Sequence, residues 1–470
     1  MNIHFEECRE RSCFHADHTV TIGGQIIPYH TICEDNYFYD DETGKPVASI
    51  FSYSYLRTDV ADASRRPVIF AYNGGPGSSS VWLQMGFMGP QRVHMGDAKQ
   101  IPTTTPFTLE DNPNCPLDVC DIVLVDMVGA GMGRLFDENA KDIFFSADKE
   151  IRQIALFIDH WLTRNHRRNS PLFLFGESYS TGRTALLTAE LLGGSRDNRT
   201  TLGIPVNGVI LLGSYFFEKL MFPGTALCLP SMAAANWYYH PDGKPELKEF
   251  ISETYDFIEK KYLPAYHKGD FLPQAELADI VNKMSYFTGL SAAYLDTCWM
   301  CLTLDDFRRQ FLLNSHELLA LYDARYIWKD IPHLPASNVI ADDPAMGRYI
   351  PAYMTGFAML RKELGIEMDR ANYGVDLSVG VRWNGHLEYQ PADALAASMR
   401  RNERLKVMFA SGLYDLCTPF GNARYIASHS KLDVSRVQMC EYPSGHMLYL
   451  DDENAARLGK DLRQFIGSSI

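Results

Sequence analysis

Apolar residues in this chain gather in short unbroken runs that end at glycine or a polar loop. Six stand out: PVIFAYNGG (67–75), DIVLVDMVG (121–129), PLFLFGES (171–178), NGVILLGSY (207–215), KVMFASGLYD (406–415) and VQMCEYPSGH (437–446). Runs of Val, Ile, Leu and Phe without alternation suit strands buried on both faces, as in a parallel sheet. Between them the period changes. In DKEIRQIALFIDHWLTRN (148–165), Ile151, Ile154, Ala155, Ile158 and Leu162 share one face of a helix, and TALLTAELL (184–192) reads the same way. Ahead of these runs, HTVTIGG and ASIFSYSYLR read as further strands, split by the turn-like DDETGK. Strand–helix alternation predicts an α/β fold with a mostly parallel central sheet and helices on both faces.

The spacing breaks once. Residues 216–405 separate ILLGSY from KVMFASG, too long a stretch for an ordinary crossover. Helical periods recur within it, as in ELKEFISETYDFIEKKYL and TLDDFRRQFLLNSHELLALYDARY. Residues 216–375 are therefore expected to form a large, mainly helical insertion, or cap, over the strand ends, leaving 1–215 and 376–470 as the core. There the insertion would shape a binding pocket.

Composition narrows the partners. With 470 residues, 46% of them hydrophobic, the chain can bury a sizeable core. Its formal net charge of -14 argues against nucleic acid or an anionic membrane surface. No run of about 18 apolar residues marks a membrane span. The start, MNIHFEECRERSCFHAD, lacks the basic residues and apolar stretch of a secretory leader, so a cytoplasmic protein is expected, or a secreted one from which a leader is gone. The ten cysteines show no dense disulfide spacing, and the CxxC of Cys298 and Cys301 stands alone and reads as structural. The NRT triplet at Asn198 matters only in a secreted protein. No Cys/His cluster has ligand spacing, so no metal or organic cofactor is expected; a homodimer stays open.

The chemistry centres on GESYS (176–180). A buried strand, a sharp turn and then a helix make up a nucleophile elbow, which exposes Ser178 at the carboxyl end of the sheet. The helix start offers N–H groups and a positive dipole end to a forming oxyanion. Gly176 suits the tight turn, whereas Ser180 replaces the second glycine of G-x-S-x-G. Serine needs a base. In this setting the chain order is Ser, then an acid, then His. Asp415 follows one predicted strand and His446 the last, so both fall in strand-end loops where they can converge on Ser178. His446 would take and return the proton, and Asp415 would orient the imidazole. The oxyanion donors are expected from the amide of Tyr179 and from the glycine-rich loop YNGGPGSSS (72–80).

NGGPGSSS, GESYS, SGLYD with a proline four residues after its Asp, and SGHM, in this order, resemble the serine carboxypeptidase family. The likeness covers about residues 66–215 and 405–450. It implies an α/β-hydrolase fold with a helical insertion and removal of C-terminal residues from peptides. It implies the triad Ser178, Asp415 and His446, with the oxyanion held by the amides of Gly75 and Tyr179. It also gives Glu177 a role: with Asn73 and Gly74 it would bind the substrate's terminal carboxylate, one proton being shared between the two carboxyl groups. The chain departs from well-known eukaryotic members, which carry a further acid shortly after the NGG loop. VWLQMGFMGPQRV (81–93) has none, and Ser78 stands where a cysteine is usual. In these features the chain looks more like the bacterial branch. Arg92 reads as a scaffold residue rather than a compensating charge.

Peptides are thus the expected partners, with no nucleic acid and no membrane. The alternative on the same triad is an esterase or acyltransferase, which gives Glu177 and Asn73 no obvious task. A non-catalytic scaffold on the same fold would leave all three triad positions unused.

Overall fold

The computed structural model describes residues 3–5, 12–95, 103–193, 201–216, 224–330, 340–368, 370 and 374–470. In chain order the strands are β1 (Ile3–Phe5), β2 (Cys13–Ile22), β3 (Gln25–Asp40), β4 (Pro46–Arg57), β5 (Val68–Tyr72), β6 (Gln91–Val93), β7 (Leu109–Asp111), β8 (Asp121–Asp126), β9 (Arg134–Leu135), β10 (Leu172–Glu177), β11 (Gly208–Leu212), β12 (Glu317–Leu319), β13 (Ile327–Lys329), β14 (Lys406–Gly412) and β15 (Val437–Tyr442). Eleven of them form one sheet in the order β1-β3-β4-β8-β5-β10-β11-β14-β15, with β2 beside β3 and β9 beside β4. The stretch β8-β5-β10-β11-β14-β15 is parallel throughout. These strands are the six runs read from the sequence.

Alternate residues of the parallel strands feed two cores. On one face Ile69, Ile122, Phe173, Phe175, Ile210 and Met408 meet the helices Met346–Glu363 and Asp452–Ser468. On the other, Phe70, Val123, Leu174, Val209 and Phe409 meet the helices Lys149–Arg164, Ser180–Gly193 and Pro391–Arg401. The helix Lys149–Arg164 buries Ile151, Ile154, Ala155, Ile158 and Leu162, and adds Phe157 and Trp161 to the same face. Each large apolar side chain fully buried there contributes about 1.5–3 kcal/mol.

The antiparallel flank differs from the sequence reading. HTVTIGG and ASIFSYSYLR are not neighbours across one turn; the 16-residue strand β3 runs between them. Its proline and scattered acids hide the alternation that the pairing with β2 and β4 reveals. Gly23 and Gly24, at φ +58° and +79°, turn the first hairpin, and DDETGK turns the second, closed by Gly44 N–H donating to Asp40 O at 2.9 Å.

Between β11 and β14 the chain is mainly helical. The helices Gly224–Tyr239, Leu247–Phe257 and Gln274–Thr288 share a third core, which also takes in Leu413, Tyr414 and Phe420. The aromatic stretches at 236–243 and 288–300 fill this core. The last long helix, Met346–Glu363, packs instead on the main sheet. No helix among the described residues is long and apolar enough to cross a membrane. The nine described cysteines are free, Cys298 and Cys301 among them. Asn198 lies outside the described residues.

Candidate active site

Strand β10 ends at Glu177, and the helix Ser180–Gly193 begins three residues later. Between them Ser178 has φ +60°, the left-handed region that non-glycine residues seldom enter. Its N–H donates to Leu212 O on β11 at 2.8 Å, and its carbonyl accepts from Thr181 N at 2.9 Å. The turn is therefore held from both sides. A Cβ on Gly176 would collide with Thr184 Oγ1 and Ser180 O, which is why the elbow needs no side chain there.

The NGG loop leaves β5 and lies against the elbow. A Cβ on Gly74 would stand 2.6 Å from Tyr179 N and 3.0 Å from Ser178 Cβ. Three ties fix this contact. Ser180 Oγ donates to Asn73 O at 2.6 Å. Asn73 Oδ1 accepts from Leu83 N at 3.1 Å. Beyond the loop, the buried carboxylate of Asp126 accepts from Ser80 N at 2.8 Å, Ser80 Oγ at 2.7 Å and Tyr53 Oη at 3.1 Å. The departure from G-x-S-x-G thus has a physical reason: Ser180 is fully buried and its hydroxyl bridges two loops. Arg183, itself in a buried ion pair with Glu150 at 2.8 Å, donates back to Ser180 Oγ.

Asp415 follows β14 and His446 follows β15, and both are buried. His446 Nδ1 lies 2.7 Å from Asp415 Oδ2. The other carboxylate oxygen accepts from the amides of Cys417 at 2.7 Å and Thr418 at 2.9 Å. Thr418 Oγ1 donates to Asp415 Oδ2 at 2.5 Å and sits 3.0 Å from His446 Nδ1. Burial opposes the imidazolium, but the Asp415 charge and hydrogen bond outweigh it, so the His446 pKa stands above its ordinary 6.5. Ser178 and His446 line one cavity of about 190 Å³, with no hydrogen bond between them. Such contacts often tighten only when substrate binds.

Asn73, Gly74, Gly75 and Glu177 line the same cavity. Tyr179 is not among its lining residues; its amide meets the cavity wall through Gly74. Tyr322, Ile340, Met346 and Val375 close the cavity from the region between β11 and β14. Glu177 is buried and Oε2 accepts from Tyr449 Oη at 2.9 Å. Burial pushes its pKa up to about 7, against the lowering pull of His446, Tyr449 and Asn73. A carboxyl group that keeps its proton near neutrality can donate to another carboxylate.

Arg92 is spent elsewhere, on Glu110 at 2.8 Å and Asp452 at 2.7 Å. Three contributors escaped the sequence reading. Tyr449 and the hydroxyl of Ser180 act through residues distant in sequence, and Thr418, although only three residues from Asp415, reads as an ordinary turn residue. Tyr449 sits three residues past His446 in GHMLYL, where a buried aromatic reads as core.

A family model described as serine carboxypeptidase matches residues 45–442. A stretch of 165 residues, 35% of this chain, is 24% identical to the pheromone-processing carboxypeptidase kex1 of Pyrenophora tritici-repentis. That match spans 24% of the fungal protein's length. Among solved structures, Kex1(delta)p, a prohormone-processing carboxypeptidase from Saccharomyces cerevisiae, superposes with a TM-score of 0.56 at 14% identity, over 91% of this chain and 88% of that one. The structural likeness is one of fold, the α/β-hydrolase fold. With the family model matched over most of its length, the chain belongs to the serine carboxypeptidase family.

Proposed function

We propose that this protein removes C-terminal residues from peptides through an acyl-enzyme on Ser178. The observation that carries the reading is one cavity lined by an elbow serine, a histidine hydrogen-bonded to a buried aspartate, and a buried glutamate whose pKa burial raises to about 7.

In this reading His446 takes the Ser178 proton as the hydroxyl attacks the scissile carbonyl, then returns it to the leaving amine. Asp415 fixes the ring so that the far nitrogen faces the serine, and stabilises the imidazolium. The amides of Gly75 and Tyr179 receive the oxyanion, in a place already shaped before substrate arrives. Water then attacks the acyl-enzyme by the same route in reverse. Asn73, Gly74 and Glu177 hold the terminal carboxylate, Glu177 donating its proton to it. This selects free C-termini, because an amide offers only a neutral carbonyl oxygen and turns N–H donors toward a site built of donors. Residues 216–375 serve as the cap, since Tyr322, Ile340, Met346 and Val375 reach the cavity. The free cysteines favour a reducing compartment, the cytosol. An esterase or acyltransferase on the same residues would leave the Glu177–Asn73 pair idle.

The test pairs a fluorophosphonate probe with two peptides. The probe is expected to label the protein and to fail on Ser178→Ala, which should lose several orders of magnitude in kcat. An N-blocked dipeptide with a free C-terminus should turn over faster than its C-terminal amide. Equal rates on the two would overturn the carboxypeptidase reading while leaving the hydrolase.

A further inference from the structure

Among the described residues that line the cavity, Glu177 is the one carboxylic acid. The segment 81–93 supplies none, and the group facing its Oε2 is instead the hydroxyl of Tyr449 at 2.9 Å. Space for that ring is built in. The π-turn Gln84–Met88 carries Gly86, where a Cβ would lie 2.5 Å from the Tyr449 ring. Its neighbour Phe87 stacks on Tyr449, with ring centres 5.9 Å apart and planes 16° from parallel. The phenol is thus clamped by the helix that follows the NGG loop, and its oxygen is aimed at the carboxyl group lining the cavity.

We propose that Tyr449 is a positioning residue for the terminal-carboxylate pocket: it lies behind the cavity lining, and its hydroxyl, acting through Glu177, sets the pH range over which free C-termini are accepted. The proposal rests on the carboxypeptidase reading and adds to it.

The physical reason lies in proton counting. Two acids facing a substrate carboxylate must between them hold two protons before repulsion is relieved. The Tyr449 phenol is neutral and adds no charge, and it gives its proton to Glu177 Oε2 rather than to the substrate. Burial keeps the Tyr449 hydroxyl far above its ordinary pKa, so it stays a donor at every working pH. Only Glu177 must then be protonated, and burial raises that step to about 7. The groups facing Glu177 are His446 and Asp415 from the loops after β15 and β14, Tyr449, Asn73, and Tyr353 from the helix Met346–Glu363. Of these, Tyr449 donates to the ionised form and lowers the pKa. Its removal must therefore raise it. Free C-termini would be accepted to higher pH, not lower.

The experiment follows the KM of N-blocked Phe-Leu and of its C-terminal amide against pH, in the parent protein and in Tyr449→Phe. For the parent, KM on the free acid should climb above about pH 7, as Glu177 ionises. In Tyr449→Phe that inflection should move up by about one to two pH units, the worth of one hydrogen bond to a charged group. A residue that merely filled space would alter stability or kcat and leave the inflection in place, which would overturn the proposal. A parent protein that does not distinguish acid from amide would overturn the carboxypeptidase reading, and the role of Tyr449 with it. A second measurement serves if Tyr449→Phe does not fold. Calorimetry of free leucine binding to the parent near pH 8, in buffers of different ionisation enthalpy, should report uptake of about one proton. Uptake of none, or of two, would overturn the one-acid pocket.

Discussion

Replacing Ser180 should damage both stability and catalysis, even though a glycine there restores the G-x-S-x-G motif. The Ser180 hydroxyl is the donor to the buried carbonyl of Asn73 at 2.6 Å, and Arg183 donates to it in turn. In Ser180→Ala the Asn73 carbonyl is stranded, at a cost of about 1–3 kcal/mol for a buried unpaired group. Arg183 keeps Glu150 but loses one acceptor, so a total near 2–3 kcal/mol is expected. Ser180→Gly carries the same losses and adds about 0.5–1 kcal/mol for glycine in a helix. The order of stability should thus be parent, then Ala, then Gly, read from urea unfolding.

Catalysis should fall for a separate reason. The Asn73 carbonyl is the point at which the nucleophile helix holds the NGG loop, and Gly74 touches the elbow at Tyr179 N and Ser178 Cβ. With that tie gone the loop keeps only its ties to Leu83 and Asp126, and a drift of several tenths of an ångström is expected. Misplacement approaching 1 Å costs on the order of 100-fold, so a fall of about 10–100-fold in kcat is expected, with a smaller change in KM. Both variants matching the parent within about 0.5 kcal/mol, the ordinary range for an inconsequential surface change, and within about twofold in kcat/KM would refute the tie between Ser180 and the oxyanion loop.

Two further changes probe the base and its neighbour. Thr418→Val keeps the shape but removes the donor to Asp415 Oδ2, leaving His446 and two backbone amides; kcat on a small ester should fall about tenfold, the worth of about 1–1.5 kcal/mol, and an unchanged kcat would assign Thr418 to packing alone. Glu177→Gln should move the acid limb of kcat/KM on an amidated peptide to lower pH. The base must be neutral to act, activity is lost as pH falls through the His446 pKa, and the Glu177 charge is one of the causes holding that pKa up; a limb that stays or moves upward contradicts the coupling.

The sequence marked the site wherever function depends on neighbours in the chain. The elbow, the NGG loop and the loops holding Asp415 and His446 each carry a local reason: a tight turn, a close backbone approach, a strand end. Five of the six parallel strands were legible because burial on both faces removes most polar residues from them, while β15, at the sheet edge with Met439 and Glu441 exposed, was marked by its apolar residues and the loop after it. β3 was not, because only one edge of its alternation is apolar and Pro28 interrupts it; its length becomes visible only through pairing with β2 and β4. Thr418, three residues from Asp415, was hidden because a threonine in a turn is commonplace, and Tyr449 for a reason closer to that of β3. A hydroxyl that serves a carboxylate 272 residues away, as Tyr449 does for Glu177, has no partner at any fixed spacing.

Glu177 and His446 are best treated as one titrating unit. Each is buried, which favours its neutral form, and each charge stabilises the other. The ionised pair, a glutamate anion facing an imidazolium, holds the same number of protons as the neutral pair, so the apparent pKa values belong to both groups together. In the proposed mechanism only the neutral pair can both receive a terminal carboxylate and abstract the Ser178 proton. When a free C-terminus binds, it brings one negative charge while Glu177 holds its proton, so the charge facing His446 stays close to that of the empty site with Glu177 ionised. An amidated peptide brings none. On the carboxypeptidase reading, discrimination against the amide is therefore expected to arise where the terminal group is desolvated against Asn73 and Glu177 and to show in KM, while the pull of Asp415 on His446 is common to both substrates.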